Sequence, residues 1–271
     1  MNKLSNDKQA LVLSQLVEGN SIRSIERITG IHRDTIIRLM IRAGERSALV
    51  MDQHLVNIHS ERIQLDEIWG YVGKKQRRLT DYDPEEFGDA YTFVAIDSDT
   101  KLVPAFRVGK RDGHNAVVML RQLRDRVTTY FELSTDSWGP YPNAIRDVFG
   151  IHSIAYGQVH KSYGEGGDRG ERRYSPANLL RVTLRVIFGD MERTDISTSY
   201  VERQNLTMRM GMRRLTRLTN AWSKKLDNLT QAVNLHFYHY NFMRFHSSIG
   251  CTPAQAAGIA YGAWGWDAIL S

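Results

Sequence analysis

Three β-patterned runs succeed one another with no helical pattern between them: residues 61–73 (ERIQLDEIWGYVG), 91–100 (YTFVAIDSDT) and 101–110 (KLVPAFRVGK), the last two meeting at the turn Asp97-Ser98-Asp99-Thr100. Consecutive strands of this kind form a sheet that needs a partner layer to bury its apolar face. The partner follows in the sequence. Residues 114–127 place Ala116, Val117, Leu120, Leu123 and Val127 at helical intervals, 131–138 reads as a fourth strand, 141–150 as a helix closed by Gly150, and 152–159 as a fifth strand. Helices that begin only after three strands predict an α/β fold, a mixed sheet flanked by helices.

A different pattern precedes the sheet. Residues 6–18 and 21–28 carry helical apolar spacing interrupted at Gly19-Asn20, Thr29-Gly30-Ile31 supplies a tight turn, and a third helix is expected from about His32 to Ala43. This is the spacing of a helix-turn-helix, whose last helix is narrow enough to enter a DNA major groove. Its opening residues His32, Arg33 and Thr35, with Arg38 and Arg42 on its outer side, are candidate DNA contacts. The expected organisation is an N-terminal all-α helix-turn-helix domain over 1–46, a polar connector over 47–60, an α/β domain over 61–260 and a C-terminal tail over 261–271.

Three acidic residues carry the candidate chemistry. Asp66 lies within the first strand between Leu65 and Ile68, Asp136 ends the fourth strand, and Glu202 begins a polar-faced helix in STSYVERQN. A carboxylate inside an apolar strand loses several kcal/mol of hydration unless it is paired or binds a cation. Magnesium suits such a set, because it takes hard oxygen ligands and is held by a few carboxylates with water and phosphate. With 30 acidic residues in the chain, spacing alone does not single out these three. Glu67 is expected on the opposite side of the pleat from Asp66, and Asp97 in a turn, which makes both weaker candidates.

Charge is unevenly spread. Residues 1–60 carry 8 Lys/Arg against 6 Asp/Glu, residues 61–202 carry 20 against 22, and residues 203–271 carry 8 against 2. Basic flanks around an acidic centre suit a polyanion gripped at the periphery. From about Thr198, one helix is expected to align Glu202, Asn205, Arg209, Arg213 and Thr216 on a polar stripe, with Arg217, Lys224 and Lys225 extending its basic character toward DNA phosphates. His236, His239 and His246 lack the spacing and glutamate of a zinc-protease helix, so packing or surface roles are favoured. Tyr238 and Tyr240 raise a tyrosine recombinase, but no companion Arg/His cluster assembles around them.

Several classes are excluded or disfavoured. The Gly-rich segment 157–176, read as a mobile loop, has neither a P-loop nor a dinucleotide fingerprint. The single Cys251 allows no internal disulfide and no cysteine-rich zinc site, and the absence of a long apolar run or an apolar leader predicts an intracellular protein that does not insert into a membrane.

The segments LDEIWGYVGKK, STDSWGPYPNAI, SYVERQNLTMRMGMRRLTRLTNAWSKKLDNL and HYNFMRFHSSIGCTPAQAAG resemble those of bacterial insertion-sequence transposases of the IS-one type, over roughly residues 61–260. The resemblance implies an RNase H-like fold with a DDE active site in which Asp66, Asp136 and Glu202 are the catalytic, metal-binding acids. It also implies two Mg2+ or Mn2+ ions, double-stranded DNA as partner (element ends and target), a homo-oligomer on DNA, and a cytoplasmic, nucleoid-associated protein. Members often begin with a cysteine-rich zinc ribbon, which this chain lacks. Two other readings stay open at this point: a structure-selective nuclease of the same fold, and a DNA-binding regulator whose acids are structural.

Overall fold

The computed structural model describes residues 4–164 and 178–270. The expected succession of strands and helices is present as β1 (Arg62–Val72), β2 (Gly88–Asp97), β3 (Ala105–Gly109), α4 (Gly113–Arg126), β4 (Glu132–Asp136), α5 (Tyr141–Phe149) and β5 (Ala155–Tyr163). It is preceded by α1 (Asn6–Val17), α2 (Ile22–Thr29) and α3 (Arg33–His54), and followed by β6 (Leu179–Phe188), α6 (Ser199–Gly211) and α7 (Leu226–Tyr238). Among the described residues the strands form one mixed sheet in the order β3-β2-β1-β4-β5-β6. β1, β2 and β3 are an antiparallel meander; β4 runs parallel to β1 and β5 parallel to β4, while β6 returns antiparallel. The α/β fold with a mixed sheet flanked by helices is therefore observed.

The elements form for local reasons. Asp112 caps α4 by accepting from the Asn115 backbone N–H at 2.8 Å, and α4 packs on β3 and β2, its buried Met119, Leu120 and Leu123 joining the core that also holds Ile63 and Leu65 of β1 and Phe93 of β2. Ser21 caps α2, and Gly30 closes it with a left-handed φ of 70° that a residue with a Cβ rarely adopts. That glycine makes the turn from α2 into α3.

Four elements differ from the sequence expectation. Helix α3 does not stop near Ala43; it runs 22 residues to His54 because Ile36, Leu39, Met40, Ala43, Ser47 and Met51 continue one buried stripe. That stripe faces α7 so closely that a Cβ on Gly44 would overlap the Gln231 backbone. Helix α6 ends at Gly211, so Arg213, Thr216 and Arg217 lie on turns beyond it and do not continue its stripe. Beyond Gly211 the backbone of Met212 is extended, at a point where α1 comes close: a Cβ on Gly211 would sit 3.0 Å from the Val17 carbonyl oxygen. Strand β5 extends to Tyr163, into the 157–176 segment read as a loop; residues 165–176 of that segment lie outside the described residues. Strand β6 was not among the expected strands, although Arg181-Val182-Thr183-Leu184-Arg185-Val186 alternates strictly.

The end of the chain is docked. Trp266 donates its indole N–H to Ser14 Oγ at 2.8 Å, and Arg46 donates to the Ile269 carbonyl at 3.1 Å. No described helix is long and apolar enough to cross a membrane.

Candidate metal centre

The site follows from strand register. Residues 62–65 of β1 pair with 132–135 of β4 in parallel, Leu65 opposite Thr135, so the next step along both strands brings Asp66 and Asp136 side by side. Strand β4 ends there while β1 continues, which opens a crevice at the carboxyl end of β4 where the connections leave in opposite directions. Ligands of open α/β sheets bind at such a position.

Three carboxylates meet in the crevice. Asp66, Glu67 and Asp136 each offer an oxygen, and these oxygens lie within 4.8 Å of one another. Asp66 accepts from Asn205 Nδ2 of α6 at 2.9 Å, whereas Glu67 accepts from the Tyr141 hydroxyl of α5. The two neighbours therefore reach opposite sides of the sheet, as the pleat requires, yet both carboxylates enter the gap beyond the last residue of β4. The expectation that pleating removes Glu67 from the site does not hold.

Burial sets the electrostatics. Loss of hydration, reinforced by the charges of Glu67, Asp136 and Glu202, raises the Asp66 carboxyl from 3.8 to about 7. Ionising it there costs roughly 4 kcal/mol relative to water. Burial also raises Glu67, against the opposing pull of Tyr141 and Arg111. Arg111, on the loop before α4, donates to Glu67 Oε2 at 3.1 Å and lies 3.5 Å from Asp136 Oδ2, its guanidinium 4.8 Å from the Trp138 ring. The Trp138 backbone N–H donates to Asp136 Oδ1 at 2.9 Å, fixing that carboxylate.

Glu202 stands apart from this trio. It lies in the first turn of α6, accepts from Thr198 Oγ1 at 2.5 Å and pairs with Lys161 of β5. Its side chain is 45% exposed, against 2% for Glu67. Asn205, one turn further along α6, is the link between that helix and Asp66. Asp97 is buried and occupied: its Oδ1 accepts from the Asp99 and Thr100 backbone N–H groups, the work of a turn.

The residues fit a divalent cation. The donors are hard oxygens, two of the three carboxylates, Glu67 and Asp136, share the Arg111 guanidinium while Asp66 has no cationic partner among the described residues, and the buried Oδ1 of Asn205, beside Asp66, has no hydrogen-bond partner among them.

The other candidate residues are dispersed. His32 caps α3, its Nδ1 accepting from the Asp34 backbone N–H at 3.3 Å. Arg33, Arg38 and Arg42 are exposed, with Arg38 donating to Thr35 Oγ1 at 3.4 Å and Arg42 to Gln9 Oε1 at 2.6 Å. Arg209 is half-buried and donates to the Leu215 carbonyl at 2.9 Å, holding the turn after α6. Arg213, Arg217, Lys224 and Lys225 are exposed, Lys224 lying 4.1 Å from the Trp222 ring centroid. Tyr238 and Tyr240 are buried, which removes them as accessible nucleophiles. Sequence reasoning missed Arg111 and Tyr141. The Lys110-Arg111-Asp112 turn after a strand and the aromatic start of α5 carry no signal that separates them from ordinary surface and core residues.

No family model matches the chain, and no curated protein does. Among solved structures, the chain is similar to the piggyBac transposase in a synaptic complex with hairpin DNA, with 11% identity and a TM-score of 0.41, over 89% of this chain and 68% of that one. It is also similar to the Mos1 transposase in a paired-end complex with the left transposon end, with 15% identity and a TM-score of 0.22, over 55% of this chain. The Mos1 strand transfer complex gives 13% identity and a TM-score of 0.22. This chain spans 57% of the length of the Mos1 chains. With identities and scores this low, what the chain does rests on its own geometry.

Proposed function

We propose that the protein is a DNA transposase of the IS-one type, with an RNase H-like catalytic domain and an N-terminal helix-turn-helix, which cuts the ends of its element and joins the freed 3′-hydroxyl to target DNA. The observation that carries this reading is the meeting of Asp66 and Asp136 on adjacent parallel strands, with a third carboxylate beside them in a half-buried crevice. The sheet order, with β2 antiparallel and β4 and β5 parallel to β1, is the arrangement the resemblance implies.

Asp66, Asp136 and Glu202 are the acids we assign to two Mg2+ or Mn2+ ions. Bound there, the metals would activate water and then the 3′-hydroxyl, and neutralise charge developing on the phosphate. The protein's own groups do the rest. Trp138 N–H and Asn205 Nδ2 hold Asp136 and Asp66 in place. Tyr141 and Arg111 hold Glu67, so that Arg111 keeps its position beside the crevice. Lys161 pairs with Glu202 and is the group nearest to exchange that carboxylate for a DNA phosphate, which frees Glu202 to turn toward Asp66. The exposed Arg33, Arg38, Arg42, Arg213, Arg217, Lys224 and Lys225 supply phosphate contacts, and His32 and Thr35 the groove-facing start of α3. Joining two ends requires a homo-oligomer on DNA.

The test uses labelled duplexes from the element's flanking sequence, with Mg2+ or Mn2+. Nicked and joined products are expected, and both are lost in Asp66→Asn, Asp136→Asn and Glu202→Gln while DNA affinity is retained. Nicking without joining assigns the protein to the nucleases of the same fold. Binding with no cleavage under any metal condition, unchanged by Asp66→Asn, assigns it to the DNA-binding regulators.

A further inference from the structure

A cavity of about 500 Å3 lies away from the acidic crevice, between the N-terminal helices and the segment that joins α6 to α7. Its walls are mostly apolar, with Val17, Ile37, Met40, Met212 and Leu235 among them. Such a volume is within the range of sites for small organic ligands. Two side chains of the wall, His236 and Trp222, carry buried polar atoms without a partner among the described residues. His236 is 2% exposed and lines the cavity, and both of its ring nitrogens lack a hydrogen-bond partner among the described residues; the buried indole N–H of Trp222 lacks one too. Burial, with the charges of His239 and Arg244, drives the His236 ring down to about 3, so the ring is neutral and presents one donor and one acceptor.

A cation completes the set. Arg214 lines the same cavity, donating to Ser223 Oγ at 2.8 Å and touching Met40 Sδ at 2.9 Å, and among the described residues it has no carboxylate partner. Burial lowers it to about 10, which leaves the guanidinium charged at neutral pH. A sheltered guanidinium without an acid calls for an anion. The exposed Arg23, Arg33, Arg213 and Lys224 stand around the same opening and make its approach positive.

A planar ligand with its own donor and acceptor edge and an attached anion has the chemistry that these groups call for. We propose that this cavity is a binding site for a single nucleotide, its base enclosed against the Trp222 and His236 side and its phosphate on Arg214. The nucleotide's chemistry is the same whether it is free or turned out of a DNA strand. The site shares no residue with the acidic crevice, so it stands or falls separately from the metal chemistry assigned there, although Arg33, Arg213 and Lys224 at its opening are also among the cations assigned to DNA.

The experiment is a calorimetric titration of the full chain with dAMP, deoxyadenosine and inorganic phosphate, in chelator so that the acidic crevice plays no part. Saturable one-to-one binding of dAMP is expected, with deoxyadenosine and phosphate each at least tenfold weaker. His236→Phe, which keeps the ring's bulk, should weaken dAMP and deoxyadenosine alike at least tenfold. Arg214→Gln should weaken dAMP at least tenfold and leave deoxyadenosine unchanged. Ile37→Phe, which fills the cavity without touching the polar groups, should abolish both and serves should His236→Phe not fold. Displacement of dAMP by a single-stranded oligonucleotide assigns the site to a nucleotide within a strand; a failure to displace it assigns the site to free nucleotides. No dAMP binding through the millimolar range overturns the proposal. So does a folded His236→Phe protein that is more stable and binds dAMP as before, since the histidine is then only a packing residue.

Discussion

Asp66 is the residue on which folding and chemistry pull in opposite directions. Its carboxyl is raised from 3.8 to about 7, so its stabilising share is complete below pH 3.8, falls as the pH rises, and is lost above about 7. Asp66→Asn keeps an oxygen for Asn205 Nδ2 and removes the buried charge. In chelator at pH 8 the variant should be more stable than the parent by roughly 2–4 kcal/mol, shrinking toward zero near pH 4, as read by urea denaturation. A gap that does not change with pH would show that Asp66 is not the group burdened by burial. Arg111 gives a second prediction. It is the guanidinium shared by Glu67 and Asp136, and Arg111→Met should tighten divalent-ion binding by severalfold while lowering metal-free stability. Weaker ion binding in that variant would show that Arg111 positions the acids and does not compete with the ion. Much of this was legible beforehand: an aspartate between Leu65 and Ile68 in a strand asks for a partner. Glu67 was not, because the pleat rule places its side chain correctly but says nothing of where a neighbouring strand stops.

At the scale of elements, periodicity located the helices and most strands, and contacts with other elements set where they end. The apolar spacing of α3 continues past Ala43, and the stripe it makes is buried to Met51, fitted against α7 at Gly44. The recurrence of arginines at helical intervals extends the expected polar stripe from Glu202 through Thr216, but α6 ends at Gly211, where α1 comes within contact. Strand β6 was fully legible from its alternation, in a stretch that follows the Gly-rich segment. Two predictions belong here. Gly44→Ala should push α3 from α7 and destabilise the protein by about 1–3 kcal/mol, seen as a lower urea midpoint; an unchanged midpoint would mean that the two helices are not in that contact. Arg33→Ala and Arg38→Ala should weaken binding to element ends and reduce the salt slope by about 1 each, while changing strand transfer from precut ends much less. Equal loss in both assays would take α3 out of end recognition.

For the whole molecule, the division into basic flanks around an acidic centre corresponds to a spatial arrangement. The acidic segment contributes Asp66, Glu67 and Asp136 to one crevice at the carboxyl end of β4, with Glu202 on the adjoining helix, while exposed cations lie on α3 and beyond α6. The account depends on that crevice holding divalent cations, and a Mn2+ titration followed by electron paramagnetic resonance addresses it without any DNA. The parent protein should bind Mn2+ saturably, and Asp66→Asn and Asp136→Asn should each lose that binding, with Asp97→Asn as an acid outside the crevice that leaves it intact. Adding Glu67→Gln and Glu202→Gln reports which of the two completes the site. Saturable binding that survives both Asp66→Asn and Asp136→Asn, or no binding by the parent, would contradict the account.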